Sequence, residues 1–199
     1  MLICVTNRKL CKDDFLNRIN QIGKGKPHGI MLREKDLSIP EYEYLALKIK
    51  EICDVNQIPL IINQNIGIAA RLKLSNIHLS MSDLRTYKNE IDQFVHIGAS
   101  VHSVLEAKEA QELSATYLVA GHIFSTDCKK GVPPRGLLFL KEVCDAVTIP
   151  VFAIGGITTD KVKDVLRTGA NGICVMTEAM ICSNPIDLTN KFRVGINST

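Results

Sequence analysis

The chain of 199 residues contains no tryptophan, and aromatic residues account for only 5% of it. It also lacks any apolar run of the roughly 20 residues that a membrane-spanning helix requires. The net charge is only +3 at pH 7, with acidic and basic residues interspersed, which disfavours binding to nucleic acid. The N-terminal segment 1–6 shows neither the basic region nor the cleavage site of a signal peptide. These absences predict a cytoplasmic protein without a membrane or nucleic-acid partner.

The cysteines lack the spacing of a metal site or of a disulfide framework. There are seven of them, an odd number, and they are scattered without any C-x-x-C motif. Such a pattern disfavours both zinc and disulfides. Cys4 and Cys174 lie inside apolar runs, where a thiol packs as a small hydrophobic group. We therefore expect reduced thiols throughout.

What the chain does have is a regular alternation of short β-branched runs with stretches of helical periodicity. The predicted strands cover 2–6, 29–33, 60–63, 76–79, 95–99, 117–120, 151–154 and 172–176. The predicted helices cover 13–22, 40–55, 65–73, 83–91, 103–113, 136–146, 158–167 and 185–194. Eight apolar strands, each followed by a helix, are typical of a parallel sheet covered by helices. They predict an α/β fold with a single domain over 1–199, a (β/α)8 TIM barrel.

The residues directly after the predicted strands carry most of the polar chemistry. In a (β/α)8 barrel the C-terminal ends of all strands meet at one mouth, so these residues converge. His122 is the candidate for catalysis, because an imidazole gives and takes protons near neutral pH. The candidates for substrate binding are Arg33, Lys35, Asn63, Ser100, Thr126, Lys129, Gly156, Met176 and Thr177.

Two sets of these residues suggest an anionic ligand. The segments 153–157 and 171–177 predict a phosphate site, because glycine lets backbone N–H groups approach an oxyanion closely and such barrels often bind phosphate at these loops. A tight turn packed against a helix is the alternative. Arg33 and Lys35 are two residues apart and could both face the mouth, where they would bind phosphate or carboxylate. A solvated charged loop is the alternative there.

Asp83 has two interpretations, as a ligand of Mg²⁺ or as the cap of the helix that follows it. Magnesium held with a phosphate usually requires more than one anionic oxygen from the protein. The neighbouring loop offers Asn63, Gln64 and Asn65, without a carboxylate. The cap is therefore favoured, and we predict no metal site.

Five segments together resemble the thiamin phosphate synthase/TenI superfamily. They are Leu-Arg-Glu-Lys-Asp at 32–36, Ile-His-Leu-Ser-Met-Ser-Asp at 77–83, Gly-Ala-Ser-Val-His at 98–102, the loop 121–131, and Ala-Ile-Gly-Gly-Ile at 153–157. The resemblance extends over nearly the whole chain. It implies a (β/α)8 barrel, a small-molecule thiazole phosphate as ligand, and a homodimer.

Two branches of that superfamily differ at positions that this sequence shows. Synthases couple a pyrimidine pyrophosphate to a thiazole phosphate with Mg²⁺, and their pattern has an aspartate at the position of Gln64 and Gly-Pro in place of Gly121-His122. The form Gly-His-x-Phe-x-Thr-Asp-Cys-Lys-x-Gly at 121–131 is similar to the thiazole tautomerase (TenI) branch. That branch aromatises a thiazole phosphate carboxylate tautomer without a metal, and the resemblance implies that His122 carries the proton.

We therefore expect an isomerase of thiamin biosynthesis, a thiazole tautomerase without a cofactor. In this hypothesis Gly156, Met176 and Thr177 hold the phosphate. Arg33, Lys35 and Lys129 offset negative charge, while Asn63 and Ser100 orient the ring. The alternatives are a thiamin phosphate synthase that uses Asp83 alone, and a non-catalytic regulatory protein that binds thiazole phosphate.

Glu178 departs from the family pattern, which usually has small or apolar residues there. Its carboxylate would oppose a phosphate if it faced the mouth. Either it points outward or the phosphate site is altered.

Overall fold

The computed structural model describes residues 1–197, and the side chains of residues 1–192. Eight parallel strands form a closed barrel in sequence order, and β8 pairs with β1 to close it. The strands are β1 (Leu2–Val5), β2 (Gly29–Leu32), β3 (Leu60–Asn63), β4 (Asn76–Ser80), β5 (His96–Val101), β6 (Tyr117–Gly121), β7 (Val151–Ile154) and β8 (Gly172–Val175). The predicted (β/α)8 TIM barrel is thus confirmed, with strand bounds that shift by two residues at most.

Helices cover the outside of the barrel. They are α1 (Phe15–Lys24), α2 (Ile39–Asn56), α3 (Ile66–Arg71), α4 (Met81–Tyr87), α5 (Val104–Glu112), α6 (Gly136–Ala146), α7 (Val162–Arg167), α8 (Thr177–Ile181) and α9 (Pro185–Asn197). The short helix α8 is missing from the sequence prediction, because five residues are too few to show a helical period. Within the described part of the chain, no helix is both long enough and apolar enough to cross a membrane.

Alternate residues of each strand face opposite sides, which produces two separate apolar clusters. On β1, Ile3 and Val5 belong to the cluster inside the barrel, together with Tyr117 and Phe152. Leu2 of the same strand belongs to the larger cluster between strands and helices. Because successive side chains of a strand alternate in direction, the inward positions near the C-terminal strand ends supply the side chains of the mouth.

At the opposite end, the base of the barrel, polar side chains complete the backbone hydrogen bonds of the strands. Thr116 Oγ1 accepts from the Ile97 N–H at 2.9 Å, and Asn171 Oδ1 accepts from the Val151 N–H at 3.0 Å. A buried N–H without an acceptor costs about 1–3 kcal/mol. These side chains therefore stabilise the fold.

Candidate functional site

A cavity of about 1080 Å³ opens at the C-terminal ends of the strands. Most of the predicted site residues line its wall, although they come from four different loops. They are Arg33, His122, Thr126, Lys129, Gly156, Met176 and Thr177. Lys35, Asn63 and Ser100 are not part of this wall. The barrel thus brings seven of the ten candidates to one cavity.

His122 is the candidate whose environment is best defined. His122 is only 8% exposed, and its Nε2 lies 3.2 Å from the backbone carbonyl oxygen of Val132. Since a carbonyl oxygen only accepts hydrogen bonds, Nε2 carries the proton and donates it to Val132. The other ring nitrogen, Nδ1, has no hydrogen-bond partner in the described residues and keeps its lone pair. His122 can therefore accept a proton at Nδ1.

The loop after β6 is held in place by backbone contacts. The Ile123 N–H donates to the Ile154 carbonyl at 2.9 Å, and the Arg135 N–H donates to the His122 carbonyl at 3.0 Å. Gly155 has φ +102°, and a Cβ there would collide with His122. Only glycine combines this conformation with so close an approach. Gly155 of the β7 loop therefore makes room for His122, whereas the adjacent Gly156 lies against Phe124 and Ser125.

Three cations at the mouth form no ion pair with the residues whose side chains the structure describes. The side chains of Arg33, Lys35 and Lys129 make no hydrogen bond or ion pair with any described residue. Glu34 lies between the first two but turns inward, where it accepts from the Thr6 hydroxyl at 2.8 Å. The pKa of Lys35 is lowered, chiefly by partial burial and then by the nearby charge of Arg33. This mutual repulsion would be relieved by an anionic ligand.

A fourth cation, Lys161, lies in the same wall and was missed from the sequence. Its Nζ is 3.0 Å from the Gly156 carbonyl oxygen and 4.8 Å from the centroid of the Phe124 ring. The sequence interpretation assigned 158–167 to one helix, whereas α7 begins at residue 162 after a short 3-10 turn. That turn directs Lys161 toward the predicted phosphate site.

Glu178, the residue that departs from the family pattern, is among those that line the cavity. Its carboxylate makes no hydrogen bond or ion pair within the described residues. It is therefore a negative charge beside the predicted phosphate site.

Ser100 is half-buried near the C-terminal end of β5, and both it and Asn63 contact a buried histidine, His78. Ser100 Oγ is 2.8 Å from His78 Nε2, and the Asn63 amide donates to the His78 carbonyl at 3.3 Å. Burial, with a smaller contribution from Arg33, lowers the pKa of His78 to about 3. The sequence pattern gave no reason to link His78 to Ser100.

Asp83 lies in the helix start that was predicted for it, but Ser80 is the capping residue. The Asp83 N–H donates to Ser80 Oγ at 3.1 Å, and the Ser80 hydroxyl donates to Asp83 Oδ2 at 2.7 Å. The amide of Gln64 also donates to Asp83 Oδ2, at 2.7 Å.

This arrangement fits Mg²⁺ poorly. One carboxylate oxygen already accepts two hydrogen bonds, and the neighbouring loop presents an amide N–H₂ in place of an anionic oxygen. Magnesium prefers a set of oxygen ligands that includes carboxylates. The described residues contain no cluster of three His, Cys, Asp or Glu side chains that could hold a metal.

Comparisons with known sequences agree with the barrel and with its motifs. The family model TMP-TENI, described as thiamine monophosphate synthase, matches residues 2–179. Thiamine-phosphate synthase of Clostridium acetobutylicum is 37% identical over 179 residues, which cover 88% of this chain and 85% of that protein. The corresponding protein of Methanobrevibacter smithii is 36% identical over 186 residues, with coverage of 92% and 89%.

A solved structure extends the likeness to three dimensions. Thiamine phosphate pyrophosphorylase from Pyrococcus furiosus superposes with a TM-score of 0.87 at 28% sequence identity, covering 98% of this chain and 94% of that one. The names of these relatives support the synthase, the alternative hypothesis, better than the tautomerase. The expected closeness to the TenI branch is not confirmed. By sequence and by fold, the chain belongs to the thiamine monophosphate synthase (TMP-TENI) family.

Proposed function

We propose that this protein is a thiazole tautomerase that aromatises a thiazole phosphate carboxylate. The observation that carries the proposal is the environment of His122. It is a largely buried imidazole with Nε2 bonded to Val132 and Nδ1 available, in a cavity that also contains Arg33 and Lys129. A base that can later act as an acid is what a proton shift between two carbons requires.

The proton shift needs two steps at one side chain. Nδ1 of His122 removes a proton from the thiazole ring carbon, and the resulting imidazolium returns a proton to the exocyclic carbon. No electron is gained or lost overall, and the substrate keeps its composition. The Val132 carbonyl stabilises the imidazolium, because it accepts the Nε2 proton in both states of the ring.

The cations account for the charge of the substrate. A thiazole phosphate carboxylate carries two anionic groups, and the cavity wall holds Arg33, Lys129 and Lys161. Arginine offers a planar pair of donors to carboxylate or phosphate. Gly156, Met176 and Thr177 line the same wall and would hold the phosphate through backbone N–H groups and the threonine hydroxyl.

The test compares the wild type with His122→Ala on the dearomatised thiazole phosphate carboxylate, following aromatisation by absorbance. We expect turnover by the wild type that survives chelation of divalent cations, and its loss in the variant. Equal rates for the two proteins would remove His122 from the mechanism.

A second candidate function is thiamin phosphate synthesis, which the names of the relatives favour. It predicts coupling of the pyrimidine pyrophosphate to thiazole phosphate, abolished by chelation of Mg²⁺. Coupling without aromatisation would establish this candidate and refute the tautomerase. Tight binding of thiazole phosphate with neither activity would instead support a non-catalytic binding protein.

A further inference from the structure

A buried imidazole lies directly below the mouth and takes no part in the proposed proton shift. His78, on β4, is 2% exposed. Its Nε2 lies 2.8 Å from Ser100 Oγ on β5, and its Nδ1 lies 3.3 Å from the Tyr117 hydroxyl on β6. The three side chains form a continuous hydrogen-bond chain from the barrel interior to the mouth.

The space for this chain is provided by Gly98. A Cβ at that position would collide with both the Tyr117 ring and His78 Nδ1. The ring of Tyr117 is further held by His78 and Phe152, with centroid distances of 5.6 Å and 5.7 Å. The contact between the tyrosine hydroxyl and the imidazole is therefore built into the packing of the barrel interior.

The direction of each hydrogen bond follows from the requirement that every buried polar proton has an acceptor. Tyr117 is 8% exposed, and Nδ1 of His78 is the one partner of its hydroxyl among the described residues. If the hydroxyl accepted from Nδ1, its own proton would be buried without an acceptor, which costs about as much as a lost hydrogen bond. The hydroxyl therefore donates to Nδ1, and the neutral imidazole carries its proton on Nε2.

The same requirement determines the role of Ser100. Because Nε2 of His78 donates to Ser100 Oγ, the serine oxygen is the acceptor of this hydrogen bond. The proton of the serine hydroxyl has no other acceptor among the described side chains. It is therefore left to donate to a ligand at the mouth.

We propose that Tyr117 and His78 are positioning residues that fix the Ser100 hydroxyl as a hydrogen-bond donor to the bound heterocycle. The ligand rests on the proposed function: the unprotonated ring nitrogen of a thiazole is an acceptor of this kind. The opposite direction of the chain would present an acceptor to the ligand and would select a ring N–H. The direction of the hydrogen-bond chain thus determines whether the site binds a heterocycle with an unprotonated ring nitrogen or one with a ring N–H.

The first test needs no ligand and no activity. Long-range ¹H–¹⁵N spectra of the full-length protein distinguish the two imidazole tautomers, and loss of a signal in His78→Asn assigns His78 among the five histidines. We expect His78 to be protonated on Nε2 in the wild type. Protonation on Nδ1 would overturn the proposal whatever reaction the protein catalyses.

Two tyrosine variants sharpen this measurement. Tyr117→Phe removes the donor that keeps Nδ1 unprotonated, so we expect a mixture of tautomers at His78. Tyr42→Phe is the matched control, because its buried hydroxyl donates to the Leu32 carbonyl at 2.6 Å and is not part of the chain. It should leave the His78 signal unchanged. A single unaltered tautomer in Tyr117→Phe would contradict the role of Tyr117.

The second test is a double-mutant cycle with Tyr117→Phe and Ser100→Ala, read as kcat/KM for aromatisation. We expect Tyr117→Phe to lower kcat/KM by roughly three- to tenfold in the wild-type background. In the Ser100→Ala background it should have no further effect, because the end of the chain is already missing. Equal losses in both backgrounds would mean that Tyr117 acts through general packing and would overturn the proposal. If neither activity is found, calorimetric binding of thiazole phosphate supplies the same cycle.

Discussion

The two ends of the barrel use polar side chains in opposite ways. At the base, Thr116 and Asn171 complete hydrogen bonds of strand backbones. At the mouth, Arg33, Lys35 and Lys129 have no ion-pair partner among the described residues. Polar groups that satisfy the backbone stabilise the fold, whereas unpaired cations repel one another until a ligand arrives. The base therefore contributes mainly to stability and the mouth mainly to binding.

The cations outside the mouth strengthen this comparison. Arg71 pairs with Glu43 and Arg85 pairs with Glu109, in both cases with a closest distance of 2.7 Å. These pairs are exposed, so each contributes only about 0–1 kcal/mol to stability. They nevertheless show that carboxylates are available across the surface of this chain. Among the described residues, by contrast, no carboxylate forms an ion pair with any of the three cations named at the mouth.

The largest effect that would test the comparison is the loss of the histidine at the mouth. We expect His122→Ala to lower kcat for aromatisation by about 10²- to 10⁴-fold, the usual contribution of general acid–base catalysis. His96→Gln is the control, since His96 begins β5 at the base and is exposed. Its rate should stay within about twofold of the wild type. A comparable loss from both variants would mean that the two ends are not functionally distinct.

Most of this division could be predicted from the sequence, because it follows from strand order and from alternation along each strand. His122, Arg33 and Gly156 were placed at the mouth for that reason, and the cavity contains all three. The contacts of His78 with Ser100 and of Gln64 with Asp83 were not predictable. They join residues of neighbouring βα units and depend on side-chain direction, which periodicity does not specify. Lys161 was missed because a 3-10 turn and a helix start look alike in sequence.

The second prediction pairs one residue from each end. Arg33→Met should weaken binding of thiazole phosphate by about 2 kcal/mol, or roughly thirtyfold, because a charge-assisted contact with the ligand is lost. It should not lower the stability of the protein, because the substitution also removes the repulsion between Arg33 and its neighbouring cations. Thr116→Val should lower the free energy of unfolding by about 1–2 kcal/mol and leave the affinity unchanged, because the Ile97 N–H loses its acceptor. Calorimetric titration and urea unfolding followed by circular dichroism measure the two quantities. A large loss of affinity in Thr116→Val would break the comparison.

The third prediction concerns stability at acidic pH, which should depend on His78, a buried residue near the mouth. The pKa of His78 is about 3 in the fold, against 6.5 for an ordinary histidine, because burial disfavours its charged form. As the pH falls, this histidine is therefore protonated in the unfolded chain before it is protonated in the fold. The stability that the fold gains by keeping His78 neutral is complete above pH 6.5 and is lost as the pH falls toward 3. Between pH 7 and pH 5 this amounts to about 2 kcal/mol.

The measurement compares urea unfolding of the wild type and of His78→Asn at the two pH values. We expect the variant to be less stable at pH 7 and the difference to shrink by about 2 kcal/mol at pH 5. His96→Gln again serves as the control, because it removes an exposed histidine at the base and leaves the burial of His78 intact. A constant difference between wild type and His78→Asn would mean that His78 takes up its proton equally in both states.

The smallest expected effect comes from Glu178, a carboxylate residue of the cavity wall that lies next to Met176 and Thr177 in sequence. Removing the charge of Glu178 while keeping its shape, in Glu178→Gln, should tighten binding of thiazole phosphate by about two- to fivefold, the size of a partly screened charge interaction. The gain should shrink in 0.5 M salt, because ions screen the repulsion that the substitution removes. Calorimetry at low and high salt measures both effects, with the exposed Glu142→Gln on α6 as the control. Weaker binding by Glu178→Gln would contradict this prediction. It would show that the carboxylate accepts a hydrogen bond from the ligand, so that the mouth contains a negative charge that contributes to binding.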